Sequence, residues 1–212
     1  MTEILVKNLQ KSFRQTTVLK DVNLHFQGGN IYGIVGYNGS GKTVLFRCIC
    51  GLLKYEQGTI EVNNRILHKD MDMLTNVGII IEEPGYLKNQ NAYQNLDFLY
   101  RIRNKKDPEH IYAVLEKVGL NPRDPKKVGK YSLGMKQRLA IAQAIMEDPE
   151  ILILDEPMNG LDKNGVMEMR KIFAQMKDEG KLLLLASHNK EDIDVLCDEI
   201  YEIDNGTITR LR

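Results

Sequence analysis

The sequence lacks an excess of charge and any long apolar run. Its 212 residues include 29 Lys or Arg and 29 Asp or Glu, so the formal net charge is zero. Nucleic-acid-binding proteins usually carry a strong basic field, so this balance argues against nucleic acid as the partner. The longest aliphatic runs, ILIL at 151–154 and LLLLA at 182–186, are far shorter than the roughly 20 residues that span a bilayer.

The sequence is also poor in cysteine and has no recognisable targeting segment. Cys48, Cys50 and Cys197 form an odd set without metal-ligand spacing, which predicts core residues in a reducing cytosol. The opening residues, MTEILVKNLQK, contain no signal-peptide core. We therefore expect a cytoplasmic globular protein with one domain or two intimate subdomains.

Apolar segments that alternate with helical patterns dominate the chain. IYGIVG, NVGIII, ILILD and LLLLAS have the continuous apolar character of strands that are buried on both faces. A helical pattern runs from Lys42 to Cys50, and Gly51 would end it. This alternation predicts an α/β fold with a mostly parallel sheet. Two β patterns at the start and a hairpin at Asn63-Asn64 predict further strands.

Residues 90–150 interrupt this alternation because they are mostly helical in pattern. Asp107 and Pro108 predict an N-cap and a first helical position, and the apolar face that follows stops at Gly119. We therefore expect an inserted helical subdomain.

The segment GYNGSGKT, residues 36–43, matches the P-loop pattern and lies between a predicted strand and a predicted helix. Glycine would let successive N–H groups turn inward towards an anion, and the helix N-terminus adds partial positive charge. Lys42 would contact the β- and γ-phosphates, and the Thr43 hydroxyl would bind Mg²⁺. A glycine-rich turn that binds nothing is disfavoured because every fixed position is present. The predicted nucleotide-binding residues are Gly36, Tyr37, Asn38, Gly39, Ser40, Gly41, Lys42, Thr43 and, through its backbone, Val44.

An acidic pair, Asp155 and Glu156, follows the predicted strand ILILD. Ligands bind at the carboxyl ends of strands in open parallel sheets. Asp155 is predicted to hold the Mg²⁺ shell, and Glu156 to polarise an attacking water. Alone, the pair could equally open a solvated turn. Together with the phosphate loop (residues 36–43), it predicts hydrolysis of a nucleoside triphosphate, without saying what the hydrolysis drives.

A third motif, YSLGMKQ at residues 131–137, contains no obvious acid, base or nucleophile. Ser132 would cap the helix that follows, and Gly134 would allow close approach of backbone. Taken alone, the motif would be an ordinary helix start. Running into ILILDEP, however, it resembles the signature motif and Walker B strand of the ATP-binding cassette (ABC) family. We call residues 131–137 the signature turn.

The resemblance covers the whole chain and implies a nucleotide-binding subunit of an ABC transporter. The implied fold is a single domain: a P-loop NTPase core with a mostly parallel sheet and an N-terminal antiparallel β subdomain (1–84 and 151–212), and an inserted helical subdomain (85–150). The implied ligands are ATP and Mg²⁺. The implied partners are a transmembrane permease, on which the helical subdomain docks at the cytoplasmic face of the membrane, and a second copy in a head-to-tail ATP-bound dimer.

The resemblance also implies roles for single residues. Ser132 and Gly134 would contact the γ-phosphate of ATP that the second subunit's phosphate loop holds. Asp162, in NGLD, would lie at the dimer interface, and His188 would sense the γ-phosphate. Phe13 would stack on adenine, for which an aromatic face suffices, although it could instead be a core residue.

The chain departs from the family pattern at several positions. In the signature turn these are Tyr131, Leu133 and Met135. Glu82 stands where the family has Gln, and there it would contact the nucleotide and the Mg²⁺ shell. IIIEEP, AYQNLDFLYRIR and KKVGKYSLGMKQRL are similar to cassette subunits of bacteriocin-immunity and antibiotic-efflux systems of Gram-positive bacteria. This similarity implies export of an antimicrobial peptide or a drug-like compound.

Other functions stay open at this point. A regulatory cassette could signal to a membrane partner without transport. A soluble ABC ATPase in translation or DNA repair is disfavoured by the single cassette, the absence of a heptad run and the zero net charge. A small-molecule kinase would leave the signature turn and His188 without a role. The transported substrate cannot be inferred, because its recognition lies in the permease.

Overall fold

The computed structural model describes residues 2–82 and 84–212, so Met1 and Glu83 lie outside it. Within these residues, ten strands form two sheets that are accompanied by six α-helices. The strands are β1 (Glu3–Phe13), β2 (Thr16–Gln27), β3 (Asn30–Val35), β4 (Gln57–Val62), β5 (Arg65–Ile66), β6 (Val77–Ile80), β7 (Ile151–Asp155), β8 (Leu182–Ala186), β9 (Glu199–Asp204) and β10 (Thr207–Arg210). The helices are α1 (Lys42–Cys50), α2 (Ala92–Tyr100), α3 (Pro108–Lys117), α4 (Leu133–Ile145), α5 (Lys163–Asp178) and α6 (Lys190–Leu196).

The larger sheet has the strand order β10-β9-β3-β8-β7-β6 and confirms the predicted α/β fold. Its strands pair in parallel, except that β10 pairs antiparallel to β9. Strands β7 and β8 are buried almost throughout, because consecutive apolar residues can only be accommodated where both faces of a sheet are covered. The carboxyl ends of β3 and β7 therefore lie at the same edge, which brings the phosphate loop close to Asp155.

The smaller sheet, with the order β2-β1-β4-β5, is antiparallel, as the resemblance implied. The predicted hairpin turn joins β4 to β5, and Asn63 and Asn64 both adopt positive φ (50° and 63°). Two positive φ angles match the right-handed twist of the strands that they connect. Helix α1 packs its buried Phe46 and Ile49 into the core shared by the two sheets.

Helices α2, α3 and α4 occupy the stretch between β6 and β7. Asp107 accepts a hydrogen bond from the backbone N–H of His110, and Pro108 opens α3, as predicted. Helix α1 likewise spans the predicted residues, and Gly51 is its C-cap. The buried side chains of α3 and α4 belong to one cluster with the larger sheet, including Leu115, Leu139 and Leu154. The division into a core and a helical subdomain of residues 85–150 stays a prediction.

The C-terminal hairpin of β9 and β10 was not among the predicted elements. Asn205 and Gly206 connect these strands, and both have positive φ (49° and 83°). Asn-Gly between two strand patterns is a strong hairpin signal, so the turn was readable from the sequence.

The three cysteines are buried and free, as predicted. Burial raises the pKa of each thiol, Cys48, Cys50 and Cys197, to about 12. They are therefore uncharged and unreactive at neutral pH. Across 2–82 and 84–212, no helix combines the length and the apolar character needed to cross a membrane.

Candidate nucleotide site

The phosphate loop connects β3 to α1 and contains three glycines with positive φ. Gly36, Gly39 and Gly41 have φ of 150°, 84° and 114°. A Cβ at Gly36 would lie 2.5 Å from the carbonyl oxygen of Ile203 and 2.6 Å from Ser40 Oγ, so only glycine fits there. Gly41 is the N-cap of α1 and, having no side chain, leaves the first N–H groups of the helix uncapped by a side chain. Such N–H groups bind phosphate in other helices.

Lys42 is folded over its own loop. Its Nζ donates hydrogen bonds to the carbonyl oxygens of Gly36 (2.7 Å) and Tyr37 (3.2 Å), and the residue is only 8% exposed. Both acceptors are neutral carbonyl oxygens, so they fix the position of the ammonium group without neutralising its charge. It is therefore available to a phosphate oxygen, which would accept a stronger, charge-assisted hydrogen bond.

Thr43 and Asp155, the two residues predicted to hold Mg²⁺ from separate motifs, are in contact. The Thr43 hydroxyl donates a hydrogen bond to Asp155 Oδ2 at 2.5 Å, although 112 residues separate them in the chain. A hydroxyl and a carboxylate are the oxygen ligands that Mg²⁺ prefers. The described residues contain no group of three or more His, Cys, Asp or Glu that could hold a metal. An ion bound by Thr43 and Asp155 would take its other ligands from phosphate oxygens and water, as Mg²⁺ commonly does.

Glu156 and His188, assigned separate roles, also form a pair. His188 Nδ1 lies 2.8 Å from Glu156 Oε2. Glu156 has a φ of 52°, which is uncommon for a residue with a side chain, and its N–H donates to the carbonyl oxygen of Ala186 at the end of β8. A backbone held in this conformation by its surroundings is often found at functional sites.

Glu82 follows β6 and also has positive φ, at 67°. Its carboxylate accepts a hydrogen bond from the guanidinium of Arg47 on α1. It faces the same cavity as the predicted metal ligands but is bonded to neither of them in this structure. This cavity of about 350 Å³ is lined by Asn38, Gly39, Gly41, Lys42, Thr43, Val44, Glu82, Asp155 and Glu156.

The signature turn has the predicted helix cap but does not reach this cavity. Ser132 is the N-cap of α4, and its Oγ accepts a hydrogen bond from the N–H of Met135 at 3.2 Å. Ser132 is exposed, and neither it nor Gly134 is among the residues that line the cavity. A Cβ at Gly134 would lie 2.9 Å from the carbonyl oxygen of Gly160, so the turn packs closely against the NGLD loop.

Asp162 and Phe13 also lie outside the cavity. Asp162 is exposed and caps α5, where its Oδ1 accepts a hydrogen bond from the N–H of Gly165 at 2.9 Å. Phe13 ends β1, is 45% exposed, and has Lys11 Nζ 5.1 Å from its ring centroid. The exposure rules out the core alternative for Phe13 and leaves its ring free to stack.

Two contacts at the site were not predicted from the sequence. Gln137 of α4 donates a hydrogen bond to the carbonyl oxygen of Pro157 at 2.8 Å and so ties the signature turn to the acidic pair. Arg47 pairs with Glu82. Arg47 comes four residues after Thr43 on one helix, a spacing that places both on the same face and could have suggested its proximity to the site.

The phosphate loop, the Thr43–Asp155 contact and Glu156 at the end of a parallel strand together define a P-loop nucleoside triphosphatase. A family model described as "ABC transporter" matches residues 19–159. The chain belongs to the ABC transporter family, in which it is an ATP-binding, ATP-hydrolysing subunit.

Similar proteins support this assignment along the whole chain. The uncharacterized ABC transporter ATP-binding protein YybJ of Bacillus subtilis is 43% identical, over 98% of this chain and 94% of its own length. The bacitracin transport ATP-binding protein BcrA of Enterococcus faecalis is 39% identical, over 96% of this chain and 67% of its own. The lantibiotic transport ATP-binding protein SrtF of Streptococcus pyogenes is 37% identical, over 96% of this chain and 87% of its own.

Solved structures confirm the fold. An ATP-binding subunit of an ABC transporter has a TM-score of 0.86 and 24% identity, over 98% of this chain and 90% of its own. The dimeric structure of MJ0796, a bacterial ABC transporter cassette, has a TM-score of 0.86 and 22% identity, over 99% of both chains.

Proposed function

We propose that this chain powers export of an antimicrobial peptide, or of a related drug-like compound, through a separate permease at the cytoplasmic face of the membrane. ATP-binding subunits of this family work with a membrane permease. The observation that carries the cargo class is the similarity to the bacitracin and lantibiotic transport subunits, which extends over 96% of this chain in both cases.

In the proposed mechanism, the phosphate loop binds and orients the triphosphate. The N–H groups at the start of α1 and the Lys42 ammonium contact its oxygens, and Phe13 stacks on the base. Thr43 and Asp155 would hold Mg²⁺, with Glu82 beside them. When bound, the ion neutralises charge that develops on the phosphates during transfer.

Glu156 is the proposed general base. Its carboxylate lines the cavity next to Asp155, where it could accept a proton from water. His188 keeps this carboxylate in place through the 2.8 Å contact, and the hydrogen bond to Ala186 fixes the backbone. Such positioning matters because misplacing a reacting group by about 1 Å can cost about 100-fold in rate.

The second copy would complete the site. Ser132 and Gly134 are not among the residues that line their own chain's nucleotide cavity, yet Ser132 is exposed at the N-terminus of a helix, a position that favours anions. We infer that they contact the γ-phosphate held by the partner, and that Asp162 lies at the interface between the two copies.

The helices between β6 and β7 would contact the permease. Helix α2 and the turn that follows it expose two large apolar side chains: Phe98 is 59% and Ile102 is 70% exposed. Clustered exposed apolar residues on a monomer indicate a protein-binding surface. A cavity of about 550 Å³ adjoins this region and includes Pro84, Gly85 and Gln137 in its lining. Permease contacts there would be transmitted to Glu82 and Glu156, which line the same cavity.

Transport by the reconstituted pair tests the proposal. Inside-out vesicles containing the chain and its copurified permease should accumulate bacitracin or a lantibiotic when MgATP is added. The same vesicles with the Glu156→Gln chain should not. ATP hydrolysis without movement of either peptide would contradict export and would favour the regulatory cassette.

A further inference from the structure

Arg47 and Glu82 form an ion pair at the rim of the nucleotide cavity. Arg47 lies one helical turn beyond Thr43 on α1, and Glu82 leaves the end of β6. The guanidinium Nη2 contacts Glu82 Oε1, and Glu82 lines the cavity with Thr43 and Asp155. The Glu82 carboxylate therefore contacts a cation and lines the same cavity as the proposed metal ligands.

This ion pair is weak enough for Glu82 to change partners, and it contributes little to the stability of the fold. The side chain of Arg47 is 36% exposed and that of Glu82 is 65% exposed. Exposed ion pairs contribute little to stability because water screens them and both side chains lose freedom. A divalent cation would compete effectively for the same carboxylate.

The backbone of Glu82 is in an uncommon conformation. Its φ of 67° is uncommon for a residue with a Cβ and is less stable than the usual conformations. The contact with Arg47 is one of the interactions that keep the carboxylate where it is. Loss of that contact would leave the Glu82 carboxylate without its cationic partner.

We propose that Arg47 is a positioning residue for Glu82, sharing this carboxylate with the magnesium shell. The inference rests on the proposed metal role of Thr43, Asp155 and Glu82. Without Mg²⁺, Arg47 neutralises Glu82 and limits its repulsion of the triphosphate. With Mg²⁺, Glu82 becomes a partner of the ion, and the Arg47 pair is the competing state. Arg47 thus sets how strongly nucleotide binding depends on Mg²⁺.

Calorimetry with a non-hydrolysable ATP analogue, in Mg²⁺ and in EDTA, tests this role. The measured quantity is the ratio of the two affinities. Arg47→Gln should raise this ratio in the wild-type background. The factor of this increase should be about two- to fivefold larger than in the Glu82→Gln background, as expected for an exposed pair. Arg47→Lys, which keeps the charge, should restore most of the wild-type ratio.

Arg103→Gln is the matched control. The side chain of Arg103 is 66% exposed and pairs with Glu147 at 3.8 Å. Glu147 lies shortly before the first residue of β7, whereas the cavity lies at the carboxyl end of that strand, so this pair is at the other end of the sheet. Arg103→Gln removes the same positive charge as Arg47→Gln and should leave the ratio of the two affinities unchanged. Thermal unfolding of the nucleotide-free variants should be close to wild type, which verifies that they fold.

Three outcomes separate the inference from the proposed function. A ratio that changes equally in both backgrounds means that Arg47 acts on the phosphates directly, and this overturns the inference. An unchanged ratio in Arg47→Gln overturns it too. If the wild-type chain does not bind the analogue, or binds it without any effect of Mg²⁺, the proposed nucleotide site itself is wrong.

Discussion

The phosphate loop and the signature turn each lead into the N-terminus of a helix, but only one of the two helices has a side-chain cap on its first N–H groups. In the phosphate loop the N-cap is Gly41, which leaves the N–H groups without a side-chain cap, and the loop faces a cavity. In the signature turn Ser132 caps α4 through its own hydroxyl and is exposed. We therefore propose that the phosphate loop binds phosphate within its own chain, whereas the exposed helix end at the signature turn serves a second copy.

This difference explains why one chain holds only part of the proposed site. Lys42, Thr43, Asp155 and Glu156 meet in a single cavity, so binding should need one copy. Ser132 lies elsewhere, so turnover should need two. Substitutions in the phosphate loop should therefore affect nucleotide binding by one copy, and substitutions at Ser132 should affect turnover by two. If substitutions in both regions had the same effect, the distinction between them would be wrong.

The largest expected effect is on hydrolysis, from Glu156→Gln. Glutamine is nearly isosteric and can still accept a hydrogen bond from His188, but it cannot accept a proton. Loss of a general base typically costs about 10²–10⁴-fold in rate. We expect steady-state ATPase activity to fall by this factor while calorimetry shows nearly unchanged MgATP binding. Substantial hydrolysis by this variant would mean that another group is the base.

Lys42→Ala should act on binding. It removes the ammonium that reaches into the cavity and leaves the backbone N–H groups in place. A charge-assisted contact to phosphate, lost from a buried position, should weaken MgATP binding by about 100-fold. Calorimetry measures this, with Lys171→Ala as the control because Lys171 is an exposed residue of α5. Equal affinities for Lys42→Ala and the wild type would contradict the assignment of the phosphate loop.

Glu82→Gln should have the smallest effect. Both side chains offer an oxygen to Mg²⁺ or to its water, so basal ATPase activity should stay within about threefold of wild type. The Mg²⁺ concentration needed for half-maximal activity should rise, since the neutral amide attracts the ion less strongly. Titration with Mg²⁺ at saturating ATP measures this. An inactive Glu82→Gln beside an active Glu156→Gln would reverse the assignment of the base.

The parts of the molecule that the sequence predicted best depend on local pattern. The phosphate loop, the hairpin at Asn63-Asn64 and the cap at Asp107 each follow from a few adjacent residues whose types suit one backbone conformation. The parallel sheet followed from continuous apolar runs. The Asn205-Gly206 turn belongs to the same group, because Asn-Gly is by itself a strong hairpin signal.

Contacts between residues far apart in the chain were harder to predict from the sequence. Thr43 and Asp155 could be brought together only because both belong to known motifs. Nothing local to Glu82 shows that its carboxylate pairs with Arg47, because the contact depends on where the end of β6 lies relative to α1. The pairing of Glu156 with His188 depends in the same way on how β7 and β8 are aligned.

The claim that the signature turn serves a second copy is tested most directly by sedimentation of the Glu156→Gln chain in saturating MgATP. We predict a dimer, because slow hydrolysis traps the ATP-bound state. Adding Ser132→Arg should give a monomer that still binds MgATP. Ser132→Asp should do the same while retaining a helix cap, because its negative charge would repel the partner's γ-phosphate. A dimer that persists in both double variants, or a monomer that has lost MgATP binding, would contradict the account.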